Sequence, residues 1–224
     1  RYRMKIVFLS DTHGLHDQMK YPVPDGDVLV HCGDAMNRGI SSELCDFAVW
    51  FNEFPHEHKI YVPGNHDHFF AENLTLSKEI LNNHMTSEVT VLVDEEVVID
   101  GLKFYGSPWT RQFYTWAFMK DEKELKDVWA TIPNDTDILI THGPPKSILD
   151  INDEGQRCGS KSLRDKVWEV KPLIHAFGHI HEAYGVMNST HTKFLNLSVC
   201  NRKYQPVNKP VVVDINDVGE IENL

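Results

Sequence analysis

Five short apolar runs in this chain each lead directly into Asp, His or Asn. Ile6–Leu9 runs into Asp11-Thr12-His13, and Val28–Val30 into Gly33-Asp34. Ile60–Val62 runs into Gly64-Asn65-His66-Asp67, Ile138–Ile140 into His142, and Leu173–Phe177 into Gly178-His179-Ile180-His181. Short unbroken apolar runs suit strands buried on both faces, the usual state of parallel strands covered by helices. In open α/β sheets, ligands gather at the carboxyl ends of such strands. Five segments far apart in sequence can therefore converge on one place, and this pattern limits the fold more than any other feature.

Helical patterns fill the gaps between the runs. Leu44, Phe47, Ala48 and Phe51 fall on one helix face, with Ser42 in place for an N-cap. Asp121 with Glu124 three residues on forms a capping box ahead of Leu125, Val128 and Trp129. A third helix is expected over 160–170, ending before Pro172. Glu88–Val93, Glu95–Asp100 and Leu102–Tyr105 read as an antiparallel meander with an Asp100-Gly101 turn. Further short strands are expected between Ala183 and Asp214. Strands alternating with helices, plus added hairpins, give an α/β protein with mixed sheets and outer helices. No repeat, low-complexity tract or Gly/Ser linker divides the 224 residues, so a single domain over 1–224 is expected.

The residue types at the strand ends point to metal chemistry. Imidazole and carboxylate together suit Mn, Fe and Zn. Two divalent ions about 4 Å apart need one shared carboxylate and two or three further ligands each, and the set supplies them without a cysteine. A lone D-x-H or G-D is weak, since chance and ordinary turns produce both. G-N-H-D and G-H-I-H placed directly after buried strands are far harder to reach by accident. Other histidines read differently. His56 and His58 precede a strand and are expected at the surface, whereas His31 and His175 lie inside strands as hydrogen-bonded core residues. Asp150–Gly155 has the look of a calcium loop, but its twelfth position is Lys161 where a bidentate Glu is required, so it reads as a solvated loop.

The net charge of −11 argues against a protein that tracks long nucleic acid. It is compatible with a small phosphate ligand, because bound cations can dominate the local field. Four scattered cysteines without a CxxC pair suggest reduced thiols. No apolar run reaches the length of a membrane span or of a secretion signal, so a cytoplasmic, membrane-free location is expected.

The order D-x-H, G-D, G-N-H-D, H, G-H-x-H resembles the calcineurin-like metallophosphoesterase superfamily. A closer likeness is to its MPPED (metallophosphoesterase domain-containing) group. That likeness rests on Ser10-Asp11-Thr12-His13, Tyr105-Gly106-Ser107-Pro108-Trp109-Thr110, Thr141-His142-Gly143-Pro144-Pro145, His181–Met187 and Gln205-Pro206. The resemblance implies a four-layer αββα sandwich of two mixed sheets flanked by helices. It implies that Asp11, His13, Asp34 and His181 hold one metal, and that Asp34, Asn65, His142 and His179 hold a second, with Asp34 bridging. His66 would be a catalytic acid rather than a ligand, oriented by Asp67. Some members have glycine in place of the first histidine of G-H-x-H; His179 is present here. Related phosphatases bind phosphate through an Arg-Gly after the G-D segment, which Arg38-Gly39 match; an ordinary surface arginine is the competing reading.

The MPPED group hydrolyses phosphodiesters, including cyclic nucleotides. The likeness thus implies a small phosphodiester or nucleotide substrate and two divalent transition-metal ions, Mn foremost, with Fe or Zn as alternatives. A metal-activated hydroxide would be the nucleophile, with His66 protonating the leaving oxygen. A phosphomonoesterase or nuclease on the same site is the near alternative, and a non-catalytic scaffold is the alternative from another class. Residues Trp109–Phe118 are dense in aromatics. They read more readily as loop core than as a platform for a nucleobase, although Trp109 and Arg111 are candidate substrate contacts.

Overall fold

The computed structural model describes residues 3–216 and 221–222. The remaining positions of the expected 1–224 domain lie outside the described residues. In chain order the elements are β1 (Arg3–Leu9), β2 (Val28–His31), α1 (Ser41–Asn52), β3 (His58–Tyr61), α2 (His68–Glu72), α3 (Leu74–Asn83) and β4 (Val89–Val91). There follow β5 (Glu95–Ile99), β6 (Leu102–Ser107), β7 (Thr110–Arg111), β8 (Met119–Lys120), α4 (Glu122–Ala130), β9 (Ile138–Thr141) and α5 (Lys161–Val170). Last come β10 (Ile174–Phe177), β11 (Gly185–Asn188), β12 (Lys193–Asn196), β13 (Val211–Asn216) and β14 (Ile221–Glu222).

Two six-stranded sheets result, in the orders β14-β13-β1-β2-β3-β4 and β11-β12-β10-β9-β6-β5. Strands β1 to β4 are parallel in the first sheet, β13 is antiparallel to β1, and β14 is antiparallel to β13. In the second sheet β12, β10, β9 and β6 are parallel, and β11 and β5 close the edges antiparallel. The two-residue period of each strand sorts its side chains into layers. Ile6, Phe8, Val28, Val30, Ile60 and Val62 of one sheet share a core with Phe104, Ile138, Ile140, Ile174, Ala176 and Leu195 of the other. The alternate residues Val7, Leu9, Leu29 and Tyr61 pack under Leu44, Phe47, Ala48 and Phe51 of α1. On the far side, Leu139, Phe177 and Phe194 pack under Leu125 and Trp129 of α4 and Leu163 and Val167 of α5. That is the four-layer αββα sandwich. It explains why the central runs are apolar throughout: both faces are covered, and each buried side chain contributes about 1.5–3 kcal/mol.

Several sequence expectations change. The meander does not form, because β4 pairs in parallel with β3 while β5 and β6 make a hairpin in the other sheet. The chain crosses between sheets at Asp94, which has φ 56° and whose carboxylate accepts from the Ser107 hydroxyl and Trp109 Nε1. Short strands have the same apolar pattern whether they neighbour in one sheet or part company, so the crossing was hidden. The Asp100-Gly101 turn is as expected, with φ of 49° and 83°. Ser42 is not the cap of α1. The N-cap position falls two residues earlier, at Ile40, and the Glu43 carboxylate takes the Arg38, Gly39 and Ile40 N–H groups instead. His56 is buried, not at the surface, while His58 is half-exposed. His31 and His175 are core residues, hydrogen-bonded to the hydroxyls of Thr12 and Thr141. Asp150 is fully buried, accepting from Ser147 N, Gly159 N and Arg157 Nη1, while the loop after it is largely exposed. The four cysteines are unpaired, and no described helix is long and apolar enough to cross a membrane.

The Asp121 capping box forms as expected: its carboxylate accepts Glu124 N–H at 2.9 Å, and Glu124 reaches back to Asp121 N–H at 3.1 Å. Asp121→Ala is expected to lower stability by about 1 kcal/mol. Denaturant unfolding checks this. Bound metal should be unchanged, because α4 packs against α5, β7 and β8 and carries none of the candidate ligands.

Candidate metal centre

The loops after β1, β2 and β3 leave the first sheet beside those after β9 and β10 of the second. Cross-loop backbone bonds tie them together: Asp11 N–H donates to Gly33 O, His13 N–H to Asp34 O, and Gly178 N–H to His142 O. Asp11, His13, Asp34 and His179 all adopt positive φ, at 54°, 47°, 54° and 70°. Such backbone costs about 1–3 kcal/mol per residue and persists only where its surroundings enforce it. Its concentration on four of the seven expected ligands marks a functional centre. Two glycines are sterically required beside them. A Cβ on Gly33 (φ 104°) would lie 2.6 Å from His142 Nδ1, and one on Gly178 would lie 2.0 Å from Asp11 Oδ2.

Metal-ligating atoms form three overlapping groups: Asp11, His13 and His181; His13, Asp34 and His66; and Asp34, His142 and His179. Asp34 Oδ2 lies 3.2 Å from His142 Nε2 and 3.9 Å from His13 Nε2, so one carboxylate oxygen serves both ends. Asn65 Oδ1 joins the second end, 3.0 Å from His142 Nε2. At the first end, His13 Nε2 and His181 Nε2 approach to 3.1 Å, and Asp11 Oδ1 lies 3.3 Å from the latter. That carboxylate oxygen is buried without a hydrogen-bond partner, while Oδ2 accepts from His179 N and Ser198 Oγ. Lone pairs converging on a dry spot with no donor between them fit a cation.

The tautomers agree. His142 Nδ1 donates to Cys32 O at 2.8 Å and His181 Nδ1 to Asn201 O at 3.1 Å. A carbonyl cannot donate, so each Nδ1 carries the hydrogen and each Nε2 faces the site as a ligand atom. Charge tells the same story. Burial disfavours a charged His142, but the adjacent Asp34 carboxylate outweighs it and lifts the imidazole to about 10. Burial also opposes ionisation of Asp34, yet the charge and hydrogen bond of His142, with His66 and His13 nearby, hold its carboxyl well below the usual range. Burial and the like charge of neighbouring His142 depress His179 to about 3.

The other expected site residues are placed as follows. His66 is half-buried, with Nδ1 donating to Asn37 O at 2.7 Å, which leaves Nε2 free. Asp67 does not orient that ring. Its carboxylate accepts from Asp34 N, Met36 N, Gly64 N and Tyr61 Oη, pinning the second and third ligand loops to each other. Burial and the Asp34 charge push it up to about 7. Arg38 and Arg111 are exposed and do not line the site cavity. Trp109 is turned away from it, donating to Asp94 and stacked under Lys120. The cavity, about 200 Å³, is lined by Asp34, Asn65, His66, His179 and His181 with Phe113, Trp116, Glu182, Arg202 and Tyr204. Arg202 is paired there with Asp153. Sequence reasoning missed Tyr204 and Arg202, although the quoted Gln205-Pro206 lies one residue further on.

The chain matches the Calcineurin-like phosphoesterase family over residues 4–183 and belongs to it. Human metallophosphoesterase domain-containing protein 1 is 39% identical over 232 residues, covering 94% of this chain and 71% of the human protein. The UPF0046 protein K07C11.7 of Caenorhabditis elegans is 39% identical over 222 residues, covering 93% and 74%. Among solved structures, TT1561 of Thermus thermophilus superposes with a TM-score of 0.60 at 14% identity, covering 94% of this chain and 98% of that one, which speaks for the fold alone.

The position of Asp67 yields a test. Asp67→Asn would aim an amide NH₂ at a backbone N–H donor, so stability is expected to fall by about 2 kcal/mol. Equilibrium unfolding measures it. Unchanged stability with a selective loss of turnover would instead indicate action through the His66 ring.

Proposed function

We propose that this chain is a two-metal phosphodiesterase acting on small phosphodiesters, cyclic nucleotides foremost, as one cytoplasmic domain. The observation that carries the reading is the pair of ligand clusters sharing Asp34 Oδ2. Asp11, His13 and His181 with Asp34 would hold one divalent cation, and Asn65, His142 and His179 with Asp34 the other, Mn²⁺ being the first choice. Bound there, two such cations would supply an acidified water, orientation of the phosphate and charge to offset an in-line displacement.

The protein's own groups then have separable tasks. Asp11 Oδ2, tied to His179 N–H, keeps the two clusters in register. His66, whose Nδ1–H is held by Asn37 O, offers Nε2 to protonate the leaving oxygen. The acidic balance of the chain weighs against duplex nucleic acid as substrate.

The chelation test is direct. EDTA is expected to abolish hydrolysis of bis-p-nitrophenyl phosphate and Mn²⁺ to restore it. Faster turnover of p-nitrophenyl phosphate than of the diester would favour the monoesterase reading instead.

Two substitutions separate binding from chemistry. Asp34→Asn removes the shared charge, so metal content measured by elemental analysis should fall at both positions, and activity with it. His66→Gln should retain metal yet lose about 10²–10⁴ in turnover on a ribose ester, and less on a p-nitrophenyl ester whose leaving group needs little protonation. Loss of metal from His66→Gln would make His66 a ligand and overturn the acid role.

A further inference from the structure

The cavity over the ligand clusters has aromatic walls. Trp116 meets the His66 ring edge-on at 4.7 Å between centroids, and Phe113 lies 5.6 Å from the His179 ring. Tyr204 flanks the other cluster, 4.9 Å from His13 and 5.1 Å from His181. These rings are not core: Phe113 is 50% exposed, Trp116 38% and Tyr204 44%. The segment is anchored by other residues. Ala117 and Phe118 are buried, Thr110 N–H donates to Phe118 O and Gln112 N–H to Lys120 O. The exposed rings are therefore carried on a loop fixed at its base. Tyr204 is fixed as firmly: Asn201 Oδ1 accepts the Lys203 and Gln205 N–H groups, and Asn201 O accepts both Tyr204 N–H and His181 Nδ1–H.

Apolar rings left open to water beside a strongly polar centre mark a binding surface rather than a packing remainder. We propose that Phe113, Trp116 and Tyr204 form the subsite for the flat aromatic group of the substrate, a nucleobase, placed by its ester phosphate at the metal clusters. The assignment rests on the phosphoesterase reading above and adds which residues select the substrate. Stacking suits any base, since each presents a π face, and bases docked on such rings gain affinity without a hydrogen-bond code. The subsite accordingly distinguishes base-bearing from base-free esters and discriminates weakly among bases.

The test compares ligands that carry a base with ligands that lack one. Turnover of 2′,3′-cyclic AMP is compared with glycerol 1,2-cyclic phosphate, and binding of AMP with ribose 5-phosphate, all on Mn²⁺-loaded protein with metal content measured for every variant. Trp116→Ala, and Phe113→Ala with it, should weaken AMP binding and raise KM for the cyclic nucleotide by about 10-fold or more. The base-free ligands should lose several-fold less than the base-bearing ones, the metal content should not change, and Trp116→Phe should keep most of the preference. Equal losses on base-bearing and base-free ligands would overturn the subsite, because rings that merely shield the metals act on both. No loss on either would overturn it too. Wild-type protein that binds AMP preferentially but hydrolyses neither diester would sink the diesterase reading and leave the subsite standing. Hydrolysis of both diesters without any base preference would do the reverse.

Discussion

The structure turns on one buried charge. Asp34 sits at the junction of the two sheets, almost wholly out of water, with one oxygen bonded to His66 N–H and the other facing His142 and His13. Removing a carboxylate from water costs several kcal/mol unless a counter-charge and hydrogen bonds replace the solvent. Asp11 and Asp67 are buried in the same region, which compounds the cost. Neighbouring groups answer that charge: the Asp34 carboxylate lifts His142 to about 10, and burial with the same charge pushes Asp67 up to about 7, both shifts that offset negative charge. Divalent cations would do so more completely. Cations bound here would let an acidic chain attract phosphate, since local charge at such a centre outweighs the distant field.

The same group explains how the layers are tied together at this end of the sandwich. Beneath the site, the two sheets meet through Ile, Val and Phe side chains that carry no directional information. At the carboxyl ends the contact becomes polar and specific. His142 from the second sheet donates to Cys32 O of the first, and Asp11 of the first accepts His179 N–H from the second. Asp67 then fixes the Asp34 loop to the Gly64 loop. Left-handed backbone at four ligands is sustained by these bonds, because no single loop could hold it alone. Fold and site thus constrain each other: the apolar core brings the strand ends near, and the polar bonds set their register.

What could be read from sequence follows from that division. The central strands were legible because burial on both faces leaves apolar runs, and the convergence of the candidate ligand residues because each follows such a run directly. The destination of β4 was not, since Val89–Val91 has the same pattern beside β3 as it would beside β5. The role of Asp67 was also hidden. Sequence adjacency ties it to His66, but successive residues in a turn point different ways, and its carboxylate faces three backbone N–H groups and Tyr61. Arg38 and Arg111 illustrate the limit for single cations: nothing local distinguishes an arginine that reaches a ligand from one in solvent.

Aromatic density misled for a related reason. A cluster such as Trp109–Phe118 ordinarily signals core, and part of it is core: Ala117 and Phe118 are buried, and Trp109 is half-buried against the same cluster. The rest is exposed because the loop is closed at its base by the β7–β8 pairing, so only the residues nearest that closure can reach the interior. Phe113, Tyr114 and Trp116 lie at the far part of the loop, where their ring neighbours are each other and the metal-site histidines. Phe113 keeps 50% of its surface open there and Trp116 38%, so part of each ring faces water beside the candidate ligands. On the proposed reading, that exposure answers to what approaches the candidate metal centre rather than to what holds the fold.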